Sequence, residues 1–88
     1  MKTSMDYQVN DVVLYKYEDD DGTFHFIGLV IQTIGTTTVK VKDLYGIEDP
    51  TQISSSSFGL EKEDIIAKLG EQVDYLDLAK QQYPELFI

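Results

Sequence analysis

The sequence predicts a mainly β domain with a helix at its C-terminal end. Three observations carry this: two runs rich in Val, Ile, Leu, Tyr and Phe flank Asp21-Gly22, a Thr/Val-alternating run follows Gly35, and a Gly- and Pro-free segment precedes Pro84. A chain of 88 residues fits one core, and by surface scaling it buries roughly 60 to 65% of its extended-chain surface on folding. The expected organisation is a lead-in over 1–8, a barrel over 9–70 and a helix over 71–88 packed on that barrel.

Residues 1–8 are polar, without a strong period, and read as a loosely ordered lead-in. Strands are expected over Val9 to Tyr17 and Phe24 to Thr33, joined through Asp21-Gly22 as a type I′ hairpin turn, whose central residues both need positive φ. That turn sets Tyr17 opposite Phe26, Tyr15 opposite Gly28 and Val13 opposite Val30. A second turn near Ile34-Gly35-Thr36 leads to a third strand, Thr37 to Lys42. Val39 and Val41 then share a face with Phe26 and Val30. The other face holds Val12, Leu14, Ile27, Leu29 and Ile31 beside Lys16, Lys40 and Lys42. With two apolar faces the sheet must curl around one of them and be covered on the other, and Gly28 is a natural place for the bend.

Residues 46–59, with Gly46, Pro50, Ser54 to Ser57 and Gly59, have loop composition, and the serine run is expected to be a mobile tip. Leu60 to Leu69 admits a helix closed by Gly70 or a turn followed by a short strand through Ile65, Ile66 and Ala67, and the second is favoured. From Glu71 to about Gln82 a helix is expected, stopped by Pro84. At about 100° per residue, Leu69, Val73, Leu76, Tyr83 and Phe87 form one arc. Glu71, Asp74 and Asp77 form a second. Tyr75, Leu78, Ala79 and, if the helix runs on, Leu86 form a third. One apolar arc should dock on the barrel and leave the other for a partner.

This order of elements resembles an SH3-like barrel with an appended helix. The stretch Val13-Leu14-Tyr15-Lys16-Tyr17-Glu18, followed by Asp19 to Asp21, is similar to the ALYDY stretch of signalling SH3 domains. The resemblance implies a small, partly open antiparallel barrel. It carries over no ligand residues, because the tryptophans that hold proline-rich ligands in those domains are missing here, as is their later Pro and Tyr pattern. Fold likeness by itself gives no function.

Composition narrows the chemistry. The chain has 16 acidic residues against 7 basic ones, all lysine, for a formal net charge of -9. Direct nucleic-acid binding and attachment to anionic membranes are therefore disfavoured. Cysteine is absent, which removes disulfides, thiolate metal sites and thiol catalysis. No apolar run approaches the ~20 residues that cross a bilayer, and no basic-then-apolar leader precedes Val9, so a cytoplasmic protein is expected. The lone histidine, His25, is expected to pair with Glu18 across the hairpin rather than serve a triad. Glu18 to Asp21 with Gly22 invites calcium. With Gly22 in the sixth place of an EF-hand loop, however, the first and twelfth places fall on Tyr17 and Gly28, which bring no carboxylate. The six glycines are too dispersed to cradle a phosphate. No enzyme activity, cofactor or metal is expected.

What remains is a non-catalytic protein-interaction module or small assembly subunit, bound to a protein partner or to itself as a homodimer through Tyr75, Leu78, Ala79 and Leu86. An origin in a phage or mobile element fits such a module. The alternative is an acidic nucleic-acid-mimicking inhibitor of a basic host protein, presenting Glu18, Asp19, Asp20, Asp21, Glu71, Asp74 and Asp77. A third reading takes Tyr15, Tyr17 and Phe26 as a Tudor-like cage for a cationic ligand.

Overall fold

A computed structural model of the chain describes residues 7–70 and 74–87. Five antiparallel strands form one sheet: β1 (Val12–Asp19), β2 (Gly22–Ile34), β3 (Thr38–Gly46), β4 (Phe58–Glu61) and β5 (Ile65–Gly70), in the order β4-β3-β2-β1-β5. A 3-10 turn (Lys62–Asp64) joins β4 to β5, and helix α1 (Tyr75–Gln82) follows, with a second 3-10 turn over Pro84–Phe87. The chain is thus mainly β with a C-terminal helix. The end strands β4 and β5 have no ladder between them, so the sheet stays open there. Among the described residues no helix is long and apolar enough to cross a membrane.

The β1–β2 hairpin turns differently from the sequence expectation. Asp19 pairs with Gly22, so Asp20 and Asp21 occupy the turn, and Tyr15 faces Phe26 rather than Gly28, with Tyr17 facing Phe24 and Val13 facing Gly28. Neither Asp20 nor Asp21 has positive φ; Gly22 alone in this turn does, at 127°. A type I′ turn would place two residues in the left-handed region, at a cost to the aspartate. Instead Asp19 Oδ1 accepts the Asp21 backbone N–H at 2.8 Å, an Asx-type bond that fixes the turn one residue earlier. Because the register moves by two residues, each side chain keeps its face.

Both sheet faces are apolar, and alternate residues of β1 serve both. Val12 to Tyr15 are buried in succession. Val13 and Tyr15 join Val30, Val39, Val41 and Leu60 in one cluster, whereas Val12 and Leu14 join Ile27, Ile47, Leu69 and Ala79 in the other. The first cluster lies within the curl of the sheet; the second is roofed by α1 and the turn after it.

That roof uses both apolar arcs of the C-terminal segment. Leu76, Tyr83 and Phe87 pack on the second cluster, and so do Tyr75 and Leu86, while Ala79 is wholly buried in it. The arc expected to be left for a partner is therefore largely spent within the chain. A short helix followed directly by a 3-10 turn presents more than one side to the sheet. Helix α1 begins at Tyr75, after Asp74 in the left-handed conformation (φ 62°), and Tyr83 before Pro84 has left the helical region (φ -134°, ψ 58°), as the proline ring favours. The helix residues expected at 71–73 lie outside the described residues.

Residues 58–70 form the favoured turn and strand, with β4 in addition, while the 46–59 loop begins after Gly46 and ends before Phe58. Most of the expected lead-in, 1–6, lies outside the described residues. Its last two residues are held: Tyr7 packs on the inner cluster, and the Gln8 N–H donates to Asp11 Oδ2 at 2.8 Å.

Gly46 closes β3 where the chain doubles back on itself. A Cβ there would stand 2.5 Å from the Asp49 carbonyl oxygen, a backbone atom that cannot rotate away. Gly46→Ala is expected to destabilise the fold by about 1–3 kcal/mol through local overpacking, seen as a lower urea midpoint with an unchanged m-value.

Candidate functional site

The sheet curl leaves a groove of about 570 Å³ open at the hairpin end of the inner cluster. Its walls come from Tyr15 and Tyr17 on β1, Phe26 on β2, Asp43 on β3, Phe58 and Glu61 on β4, and Asp64 on the 3-10 turn. This volume falls within the range of small-ligand and side-chain pockets, roughly 300–1,000 Å³.

The floor is aromatic. Tyr15 stacks on Phe26 with ring centroids 5.5 Å apart and meets Phe58 edge-on at 5.9 Å. Tyr15 itself is only 2% exposed, whereas Tyr17 is 53% exposed, and Phe26 and Phe58 are half-buried. Tyr15 is therefore the anchor of the floor, and the other three rings are what a ligand could touch. The cage expected from Tyr15, Tyr17 and Phe26 is brought together with this change of roles.

Asp43, 7% exposed, is the buried charged residue among the described residues. Its Oδ1 accepts the Tyr15 hydroxyl, and its Oδ2 accepts the Ser54 backbone N–H at 2.9 Å. Burial raises the Tyr15 phenol pKa far above its ordinary value, and the hydrogen bond to Asp43 and that residue's charge raise it further. The phenol stays a donor. Ser54 is thereby tied to the sheet, and its hydroxyl donates to the Ser56 carbonyl at 2.8 Å. The serine run expected to be a mobile tip is pinned at its start.

The rim is acidic. Glu18, Glu61 and Asp64 line the opening with Lys16 as the one cation among the described residues that line it, and Lys16 Nζ stands 3.8 Å from Glu18 Oε2. Glu61 Oε2 accepts the Thr38 hydroxyl at 3.1 Å.

His25 does not pair with Glu18, which faces Thr23 across the hairpin. Its Nδ1 lies 2.7 Å from Glu48 Oε2, and its backbone N–H donates to Glu48 Oε1 at 2.7 Å. The change of register carries His25 to face Lys16, and the loop after β3 then supplies the carboxylate. Burial alone would raise the Glu48 pKa, but the backbone and ring donors of His25, the backbone of Glu48 itself and the charge of His25 outweigh it and hold the carboxyl low.

The other residues expected at a site are scattered. Tyr75, Leu78, Ala79 and Leu86 lie on the helical roof over the opposite sheet face, and Leu78 is half-buried there. Asp19, Asp20 and Asp21 are exposed on the hairpin turn, Asp74 and Asp77 are exposed on the helix, and Glu71 lies outside the described residues. Among the described residues no group of three or more histidine and carboxylate side chains is placed to hold a metal ion. Sequence reasoning missed Asp43 and Phe58, and it saw Glu61 and Asp64 only as part of a spread acidic surface. A signal existed for the first two: Asp43 continues the inward alternation of Val39 and Val41, and Phe58 is in step with Leu60.

Comparison with known proteins gives no matching family model, curated protein or solved structure.

Tyr15→Phe would leave the buried Asp43 Oδ1 without its donor, at an expected cost of about 1–3 kcal/mol. Adding Asp43→Asn should cost less than the sum of the two single changes, as a double-mutant cycle in urea would measure. Glu48 gives a pH signature. Its folded pKa lies below the ordinary 4.5, so its contribution to stability is present above that value and is lost as pH falls through the lowered one. Glu48→Gln should flatten the acid limb of a Tm-against-pH curve and leave its neutral region nearly unchanged.

Proposed function

We propose that this chain is a non-catalytic protein-binding module whose contact surface is the aromatic groove at the hairpin end of the sheet. The observation that carries this reading is a groove whose floor offers Tyr17, Phe26 and Phe58 and is held in shape from beneath by the Tyr15–Asp43 bond. Aromatic side chains pre-set in a concave site are the usual anchors of protein recognition, because they bring large contact area with little rotamer freedom to lose.

The surface expected on the C-terminal helix supports the reading less well, since Ala79 is sealed and Tyr75 and Leu86 pack on the core. A homodimer is disfavoured for a further reason. Each copy carries a formal charge of -9, so two copies approaching through an acid-rimmed groove would repel. The partner we propose is a different protein. An acidic inhibitor that mimics nucleic acid remains the second reading. It would rest on charge shared between the hairpin turn and the helix rather than on the groove.

Site-specific photocrosslinking tests the proposal. With p-benzoylphenylalanine in place of Tyr17, illumination in the source cells should give a discrete adduct with another polypeptide, and the same group in place of Asp77 on the helix should give none. Adducts from the helix position alone, or from neither position, would overturn the groove as the contact surface.

A further inference from the structure

We infer that the groove takes an arginine-bearing basic segment of its partner, with one guanidinium seated against Tyr17, Phe26 and Phe58 and bonded to the acidic rim. The inference rests on the reading of the groove as the contact surface and adds the chemistry of what enters it. Three features of the groove converge on this occupant.

The first is charge. Among the described residues, Glu18, Glu61 and Asp64 line the opening against a single lysine, Lys16, whose ammonium is engaged with Glu18 at 3.8 Å. Asp43, deeper in the groove, already accepts from Tyr15 and Ser54, Glu61 accepts from Thr38 and Glu18 is engaged with Lys16, so Asp64 is the rim carboxylate we take to meet an incoming group. A chain of net charge -9 adds a long-range field of the same sign, which speeds the approach of a basic segment.

The second is the pairing of π-faces with carboxylates. Rings attract a cation placed over them. Of the two side chains that stay charged at neutral pH, arginine and lysine, only the guanidinium is planar, so it can lie on a ring and still direct its edge N–H groups to carboxylate oxygens. An ammonium must choose between the two. The half-buried Phe26 and Phe58 flank the buried Tyr15 ring at 5.5 and 5.9 Å, and the exposed Tyr17 stands on the same strand face as Tyr15.

The third is size. A groove of about 570 Å³ has room for a side chain and its neighbouring backbone, whereas a folded domain could reach the floor only through a projecting segment of that kind.

The test uses the full chain and a fluorescein-labelled Gly-Ser-Gly-Arg-Gly-Arg-Gly-Ser peptide, read by fluorescence anisotropy at low and at physiological salt. The expected results are these. Replacing both arginines by citrulline, which keeps the shape and removes the charge, should weaken binding about tenfold or more. Lysine at the same places should bind several-fold more weakly than arginine. Tyr17→Ala should weaken the arginine peptide about fivefold. Asp64→Lys should weaken it about tenfold, while Asp77→Lys, the same charge reversal on the helix over the opposite face, should change it less than about twofold. Circular dichroism spectra that superpose on the parent chain confirm that the three variants are folded.

Equal loss from Asp64→Lys and Asp77→Lys would overturn the inference in favour of a diffuse acidic surface. Citrulline or lysine peptides that bind as well as the arginine peptide would overturn it too. Should the arginine peptide not bind while the crosslink from position 17 persists, the groove is a contact surface for a partner of other chemistry, and only this inference is lost. Absence of both would remove the groove reading as well.

Discussion

The carboxylate of Asp43 is the point on which the arrangement of the groove depends. It joins three parts of the chain that no ladder could join: the Tyr15 hydroxyl on β1, its own strand β3, and the Ser54 backbone in the loop that leads to β4. An aspartate inside a cluster of valines, tyrosine and leucine would be costly without partners. With one oxygen on a phenol and the other on an amide, that cost is offset, and among the described residues no buried side-chain nitrogen or oxygen lacks a hydrogen bond. The consequence is positional. The Tyr15 ring is held from its far end, so Phe26 and Phe58 have a fixed surface to pack on.

A second constraint comes from a sheet with two apolar faces. Curling around Val13, Val30, Val39 and Val41 seals one face, and the C-terminal helix with its following turn seals much of the other. This division of labour leaves the groove at the open end of the curl, where the inner cluster does not close and Tyr17 meets solvent. The loop after β3 is fastened there by individual bonds: Ile47 N–H to the His25 carbonyl at 2.9 Å, Glu48 to His25 at 2.7 Å, and Ser54 N–H to Asp43.

Much of this architecture is legible in the residues. Period-two alternation assigns Phe26, Val30, Val39 and Val41 to one face and Val12, Leu14, Ile27 and Leu29 to the other, and the assignment survives the change of hairpin register because that change is an even number of residues. The turn itself is less legible, since Asp-Gly at 21–22 suggests a two-residue turn and only the Asp19 side chain, through its bond to Asp21, moves it. The helix shows another limit. Two apolar arcs can be counted from spacing, but whether both find a surface depends on Pro84 starting a second turn that brings Leu86 and Phe87 back to the sheet. The groove was half visible, through Tyr15, Tyr17 and Phe26. Of its acidic members, Glu61 ends β4 and Asp64 reaches the opening on the 3-10 turn that follows, which carries no periodic signal of its own.

Ala79 has a meaning beyond its place in the roof. It is fully buried between the helix and a cluster that includes Leu14 and Ile27, so a single methyl group sets how closely the helix axis lies above the strands. Distance at that point acts like a spacer in a hinge. Lengthening it would lift Tyr75 and Leu76 together, because both ride on the same short helix. The spacing between helix and sheet is thus set by one of the smallest side chains, and sequence drift in this region is free to alter Asp77, Lys80 and Gln81, all exposed, long before it can enlarge position 79.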